Sequence, residues 1–208
     1  MKQYLAALLV IFLFILPLAV AEEADYGFYL PEGCSIQSIP AVDHTLLTDD
    51  PDELLVMAAI HDWYLTDYDR AQYVEARELA LFVTPFIFDT HEADGMKEIW
   101  CVCTIDEYAL VKSADGEMHF RSGYSTYQAF DLLYGKRVDG WTIEEIRIPS
   151  VGEELVPGWG QGTQGMNGVT DAMIDMMSQA QYDQRAEQFV RRYMEAAGLA
   201  VVEIIDPD

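Results

Sequence analysis

The sequence predicts an α+β fold, in which one helix packs on a curved, four-stranded antiparallel meander and a helical C-terminal extension follows. Three observations predict it. A helix start stands at residues 50–53, three Asp-Gly pairs recur at intervals of 21 and 24 residues, and apolar runs flank each pair. Asp-Gly favours tight turns with positive φ, and apolar alternation on both sides of such a turn indicates a β-hairpin.

The first segment, residues 1–21, has the order of a secretory signal peptide. Lys2 provides a positive start, an apolar run extends from Tyr4 to Val20, and Ala19-Val20-Ala21 is a small-x-small cleavage site. We therefore expect a secreted or extracytoplasmic protein that begins at Glu22 and has no membrane contact after cleavage. An uncleaved anchor is the alternative, because about 17 apolar residues is the lower limit for a bilayer span.

The chain is strongly acidic. Its 208 residues include 36 Asp and Glu against 12 Lys and Arg, which leaves a formal net charge of -24. This charge repels phosphate and no basic stripe offsets it, so nucleic acid and anionic membrane surfaces are excluded as partners. Hydrophobic residues make up 51% of the chain, which is enough to bury a core.

The first elements in chain order are a leader and a helix. Residues 22–50 are expected to be an irregular leader, because four glycines and prolines interrupt them. A helix is expected from Pro51 to about Leu65, where apolar residues recur at helical spacing. Asp50 can cap this helix, Pro51 suits its first position, and Glu53 can complete a capping box.

Four strands are expected next, in residues 79–88, 99–111, 118–134 and 141–148. They are joined by turns at Asp94-Gly95, Asp115-Gly116 and Asp139-Gly140. Pro85 and Ser122-Gly123 mark expected bulges, where a long strand bends. A helix followed by such a meander packs economically when the sheet curls around it.

The last quarter of the chain departs from this pattern. Residues 150–168 are rich in glycine and are expected to be a linker. Residues 169–208 are expected to be a helical extension, with helices at Val169–Tyr182 and Asp183–Ala197. The β-rich run from Leu199 to Ile205 is a candidate edge strand.

Three segments carry a resemblance to a known architecture: Pro51-Asp52-Glu53-Leu54-Leu55, then Ile99-Trp100-Cys101-Val102 with Asp106-Glu107-Tyr108, and Asp139-Gly140-Trp141-Thr142-Ile143 with Pro149. Residues 51–149 resemble secreted bacterial proteins with a cystatin-like or NTF2-like curved-sheet domain. The resemblance implies a helix cradled by the sheet. It implies no assigned activity, because such folds include enzymes, binding modules and structural domains alike.

Candidate catalytic residues come from this resemblance. In NTF2-like enzymes a carboxylate, His or Tyr inside the cone does the chemistry, so the resemblance implies Asp106, Tyr108 and His119 as acid, base or hydrogen-bond donor. Asp106 and Tyr108 lie two apart on one predicted strand and therefore share a face. Polar residues on a strand surface are the alternative interpretation.

The three cysteines are Cys34, Cys101 and Cys103. Cys101 and Cys103 lie about 6.6 Å apart along an extended strand, which is too far for a disulfide, whose Cβ atoms are about 3.8 Å apart. A disulfide in an exported chain is then expected to join Cys34 to Cys101 or to Cys103. Three buried thiols that stay reduced are the alternative.

No cofactor and no metal site are expected. Residues 160–165 match the G-x-G-x-x-G dinucleotide pattern, but no strand leads into them, and residues 89–100 depart from the ligand pattern of a calcium loop. No catalytic constellation is complete. The sequence therefore favours a non-enzymatic module that binds a protein, a peptide or a small ligand, and the alternative is a small NTF2-like hydrolase or isomerase.

Overall fold

The computed structural model describes residues 30–67, 71–148, 179–200 and 203–205. The strands are β1 (Ser35–Gln37), β2 (Ala80–Ala93), β3 (Met96–Lys112), β4 (Met118–Arg137), β5 (Gly140–Arg147) and β6 (Glu203–Ile205). The helices are α1 (Pro51–Asp67), α2 (Ala71–Glu75) and α3 (Gln179–Ala196), and a 3-10 turn spans His44–Leu46. The fold is therefore α+β. The expected signal peptide and the glycine-rich linker lie outside the described residues.

The sheet is open and curved, and the strands β1 to β5 pair antiparallel. β2, β3, β4 and β5 form the predicted meander, while β1 continues the β2 edge by pairing with residues 110–112 of β3. β6 pairs with β4 in parallel. The Asp-Gly turns are confirmed, since Gly95, Gly116 and Gly140 have φ of +76°, +93° and +129°, which glycine adopts at no steric cost.

Three register shifts interrupt the strand pairs: between β2 and β3, between β3 and β4, and between β4 and β5. Glu107 pairs with Tyr124 and Tyr108 pairs with Ser122, so Gly123 is the extra residue, as predicted. The predicted bulge at Pro85 is wrong, because Pro85 pairs regularly with Cys103 and the register shifts only after Ile87. β2 pairs only with β3 among the described strands, and proline is tolerated on such an edge.

The start of α1 combines one expected contact with one unexpected one. The Asp50 carboxylate accepts hydrogen bonds from the amides of Asp52 and Glu53 at 2.9 and 3.3 Å, so Asp50 caps the helix. The predicted capping box is wrong. The Glu53 carboxylate instead forms an ion pair with Arg185 of α3, and the Asp50 amide donates to Thr48 Oγ1 at 3.1 Å.

α1 packs on one face of the sheet. The ring of Trp63 stacks edge-on against Phe130, with centroids 5.4 Å apart, and the Tyr64 hydroxyl donates to the buried Glu107 carboxylate. Phe130 pairs with Cys101. Because alternate residues of a strand share a face, the odd-numbered residues of β3 from Ile99 to Glu107 face α1.

α3 covers the opposite face. The ring centroids of Tyr193 and Phe82 lie 5.3 Å apart, and those of Tyr182 and Phe86 lie 4.4 Å apart. Phe82 and Phe86 both pair with even-numbered residues of β3, so they point away from α1. The sequence predicts a helix break after Tyr182, and this is wrong, since α3 continues unbroken from Gln179 to Ala196.

The outer segments join the same core as the meander. Four residues of α3 belong to the main hydrophobic cluster: Phe189, Val190, Tyr193 and Met194. The prediction of an irregular leader is wrong at β1, because Ile36 pairs with Val111 and packs beside Ala109. Within the described helices, none is long and apolar enough to cross a membrane.

Candidate ligand-binding site

A cavity of about 170 Å³ lies where α1, α2 and the start of β2 meet residues 40–42. It is named the corner pocket. Its apolar walls include Pro40, Val42, Leu65, Val74, Leu79 and Leu81. A cavity of about 150 Å³ is large enough to hold benzene. The corner pocket therefore has room for one ring or one branched aliphatic group.

The end of α2 positions the polar wall of the pocket. The amide of Arg77 donates to Val74 O and the amide of Glu78 donates to Tyr73 O, both at 3.0 Å. These two bonds form a Schellman C-cap, in which the left-handed position is usually glycine. Here it is Arg77, with φ of +61°. A side chain at this position costs about 1 kcal/mol relative to glycine.

The Arg77 side chain stands between two cavities. It lines the corner pocket on one side and, on the other, a more open cavity of about 440 Å³ beside Leu30 and Ile36. Within the described chain, no carboxylate lies at ion-pair distance from Arg77. Burial raises the pKa of the Tyr193 hydroxyl, and the positive charge of Arg77 opposes this shift. The Tyr193 hydroxyl donates to Pro40 O at 2.8 Å, at the rim of the corner pocket.

Two histidines adjoin the pocket and are uncharged near neutral pH. His61 lines the pocket, and its ring stacks edge-on against His44 with centroids 5.4 Å apart. Burial lowers the pKa of His61, although Asp62 opposes the shift. Burial, and then the neighbouring His61, lower the pKa of His44 to about 4. Arg77 and Glu75 therefore provide the formal charges of the pocket.

The three predicted catalytic residues do not form one site. Asp106 is buried and accepts a hydrogen bond from the Ser125 hydroxyl. Tyr108 packs against Phe120 at 6.0 Å, on the same face as Asp106, as expected. His119 directly precedes Phe120 in β4 and therefore points to the opposite face. None of the three lines the corner pocket.

A buried pair of acids is a feature that sequence reasoning missed. Glu98 and Asp131 are 5% and 2% exposed and are diagonal neighbours across β3 and β4. Burial, and then the charge of Glu98, raise the pKa of Asp131 to about 6, while Arg147 opposes this at 3.4 Å from Asp131 Oδ2. Asp131 therefore holds its proton to a higher pH than an exposed aspartate does.

The cysteines are free thiols, and the expected pairing of Cys34 with Cys101 or Cys103 is not formed. β1 follows Cys34 and pairs Ser35 with Lys112, nine positions along β3 from Cys103. That separation is about 30 Å at about 3.3 Å per residue. Cys101 Sγ lies 3.9 Å from Cys103 Sγ, as two thiols in contact.

We expect iodoacetamide to label Cys34 alone in the native protein, because Cys34 is only half-buried. Cys101 and Cys103 are fully buried, and burial raises the pKa of Cys103, so they should react only after unfolding. Intact-mass measurement of the exported protein checks this: one label native, three labels in denaturant without reductant. A denatured chain that takes only one label contains a disulfide. The same spectrum shows whether the chain begins at Glu22.

The described fold is that of an α+β protein with an open antiparallel sheet and a cavity at one corner. No family model matches the chain, and no curated protein matches it. Among solved structures, the chain is similar to the intermembrane-space region of the chloroplast protein ARC6, at 14% identity and a TM-score of 0.24. The match covers 54% of this chain and 100% of that one. A likeness at this level identifies no family.

Proposed function

We propose that this protein is an exported binding module whose recognition site is the corner pocket. The observation that supports it is a cavity with apolar side chains on most of its walls and two charged side chains on one of them, a combination that small-ligand sites commonly use. Export rests on the signal pattern of residues 1–21. The volume of the pocket favours a compact ligand over an extended segment of a protein partner.

The position of the pocket also supports binding. Farther along the contact between α1 and the sheet the side chains are buried, including Val56, Ile60, Tyr64, Phe130 and Leu132. At the corner, α1 is near its end and α2 turns away toward β2. A ligand can enter there without displacing the core, because residues 40–42 form the rim and Ala41 is exposed.

A small hydrolase or isomerase is the second candidate, and one observation favours it. Glu98 and Asp131 are two carboxyl groups in one site, and the pKa of Asp131 is raised to about 6, as is common for acid–base residues. Both side chains are at least nine-tenths buried, and neither cavity described above reaches them. Substrate access needs a rearrangement there, so we favour the binding module.

The binding proposal is tested with neutral single-ring probes. We expect phenol and benzyl alcohol to bind with dissociation constants of about 1 mM, which stays below the ceiling of about 1.5 kcal/mol per heavy atom. Ala41→Trp places a large side chain at the rim and should weaken binding at least about tenfold. Ligand-observed NMR measures both effects.

Val138→Trp is the matched control. Val138 is fully exposed at the β4–β5 turn, far in sequence from the pocket lining, so a tryptophan there should leave probe binding unchanged. If native protein binds neither probe, or if Ala41→Trp and native protein bind them equally, the corner pocket is not the recognition site.

A further inference from the structure

The corner pocket carries two opposite charges that do not pair with each other. Glu75 is the last residue of α2 and Arg77 follows two positions later, and both line the cavity. Within the described residues, neither side chain forms an ion pair. The other cations that contact an acid in this part of the chain include Lys97, Arg137, Arg147, Arg185 and Arg191.

Keeping an arginine at position 77 has a cost that glycine would avoid. Its φ of +61° is the left-handed conformation, and the residue is the glycine position of a helix C-cap. The guanidinium makes no ion pair among the described residues that offsets this cost. Because no ion pair in the described part of the chain offsets the backbone strain, the strain points to a role of the arginine side chain in recognition.

The chemistry of the walls defines a ligand with three parts. A guanidinium matches a carboxylate, because its planar N–H groups fit two oxygens. The carboxylate of Glu75 in the pocket matches an ammonium group on the ligand. Between them, the apolar walls match a side chain about as large as benzene. A free α-amino acid presents a carboxylate and an ammonium group on adjacent atoms, with one side chain beside them.

We propose that the corner pocket binds a free amino acid with a compact apolar side chain, such as leucine or phenylalanine. This inference rests on the proposed function, since it names the ligand class of the same pocket. Arg77 holds the carboxylate, Glu75 holds the ammonium group, and the side chain lies against Leu65, Val74 and Leu81.

The test compares four ligands by isothermal titration calorimetry on the full mature chain. L-leucine should bind most tightly. Leucinamide lacks the carboxylate and N-acetyl-L-leucine lacks the ammonium charge, so each should bind about five- to tenfold more weakly, between the effects of exposed and of buried charge pairs. Glycine lacks the apolar side chain and should bind at least about tenfold more weakly than leucine.

Two variants assign the charges. Arg77→Gly should weaken the binding of leucine and of N-acetyl-leucine about five- to tenfold. It should leave the binding of leucinamide unchanged. Glu75→Gln should weaken the binding of leucine and of leucinamide by a similar factor. It should leave the binding of N-acetyl-leucine unchanged. Both variants should fold, because glycine suits the C-cap and Glu75 is exposed. An unchanged or higher melting temperature of Arg77→Gly confirms that its effect is on the ligand.

The outcomes separate this inference from the proposed function. If phenol and benzyl alcohol bind but leucine binds no better than leucinamide, the pocket is a binding site and the amino-acid inference is wrong. If N-acetyl-leucine binds as well as leucine, the pocket takes carboxylates, such as a peptide C-terminus, and not zwitterions. If no probe and no amino acid binds, both proposals fail.

Discussion

Phe82→Ala is expected to destabilise the protein by about 3–5 kcal/mol, the usual cost of removing a fully buried phenylalanine. Phe82 is 0% exposed. The centroid of its ring lies 5.8, 6.5 and 5.3 Å from the ring centroids of Tyr108, Phe120 and Tyr193. Its loss leaves a void between β2 and α3. Urea denaturation measures the free energy of unfolding directly.

Two further variants serve as controls for Phe82→Ala. Phe82→Leu fills most of the void and should cost less than the alanine variant. Val138→Ala changes a fully exposed side chain and should stay within about 0.5 kcal/mol of native. A loss below about 1 kcal/mol for Phe82→Ala contradicts the docking of α3 on this face. In that case Tyr193 and Phe82 do not form one core in solution.

Asp131→Asn is expected to stabilise the protein by about 2–3 kcal/mol at neutral pH. In the folded chain the pKa of Asp131 is about 6, against an ordinary value of 3.8. Below pH 3.8 Asp131 is protonated in both the folded and the unfolded chain, so it does not lower the free energy of unfolding. As pH rises toward 6, the unfolded chain releases the proton while the folded chain keeps it, so stability falls and then levels off.

The size of this effect follows from the same two values. A pKa difference from 3.8 to about 6 corresponds to about 3 kcal/mol at about 1.4 kcal/mol per pH unit. Asparagine copies the protonated carboxyl group and does not ionise, so the variant escapes the loss. The attraction of Arg147, which lies 3.4 Å from Asp131 Oδ2, opposes the shift and is already contained in the pKa of about 6.

Denaturation at pH 4 and at pH 7 isolates the contribution of Asp131, because the other groups are common to both proteins. The gain should appear at pH 7 and nearly vanish at pH 4. Asp115→Asn is the control of opposite sign: Asp115 is exposed and a hydrogen bond from Ser113 lowers its pKa, so that variant should lose stability at neutral pH. Equal gains for Asp131→Asn at both pH values contradict the assignment.

Arg77 and Asp131 have one property in common. Each is held at a cost to the fold, in the first case through a left-handed backbone and in the second through a buried acid. Proteins often retain such costs where a side chain serves recognition or chemistry. Only Arg77 lies beside a described cavity. This difference is the reason the binding module is preferred to the acid–base enzyme.

The meander could be predicted from the sequence because its signals are local. Asp94-Gly95 forms a turn in which both residues have positive φ, and this preference is present in the dipeptide itself. Gly123 was likewise recognisable as a bulge, because a glycine inside a strand pattern marks one. The same reasoning misplaced the other bulge at Pro85, since an edge strand tolerates proline without a register shift.

The candidate site could not be predicted in this way. Glu75 and Arg77 belong to no motif, and nothing in the neighbouring residues distinguishes them from a solvent-exposed helix end. Their importance comes from Pro40 and Val42, which approach across more than thirty positions of sequence to close the pocket. Similarly, the burial of Glu98 depends on neighbours supplied by β4 and not on its own strand.

The amino-acid sequence by itself determined the class of fold, the three hairpin turns and the cap of α1 at Asp50, because each depends on backbone preferences within a few residues. Tertiary structure alone decided that α3 covers the face opposite α1, that Cys34 is far from Cys103, and that a charged pocket opens at the corner. These features depend on which distant surfaces meet. That choice is made by the burial of the whole apolar surface at once, and no short segment contains it.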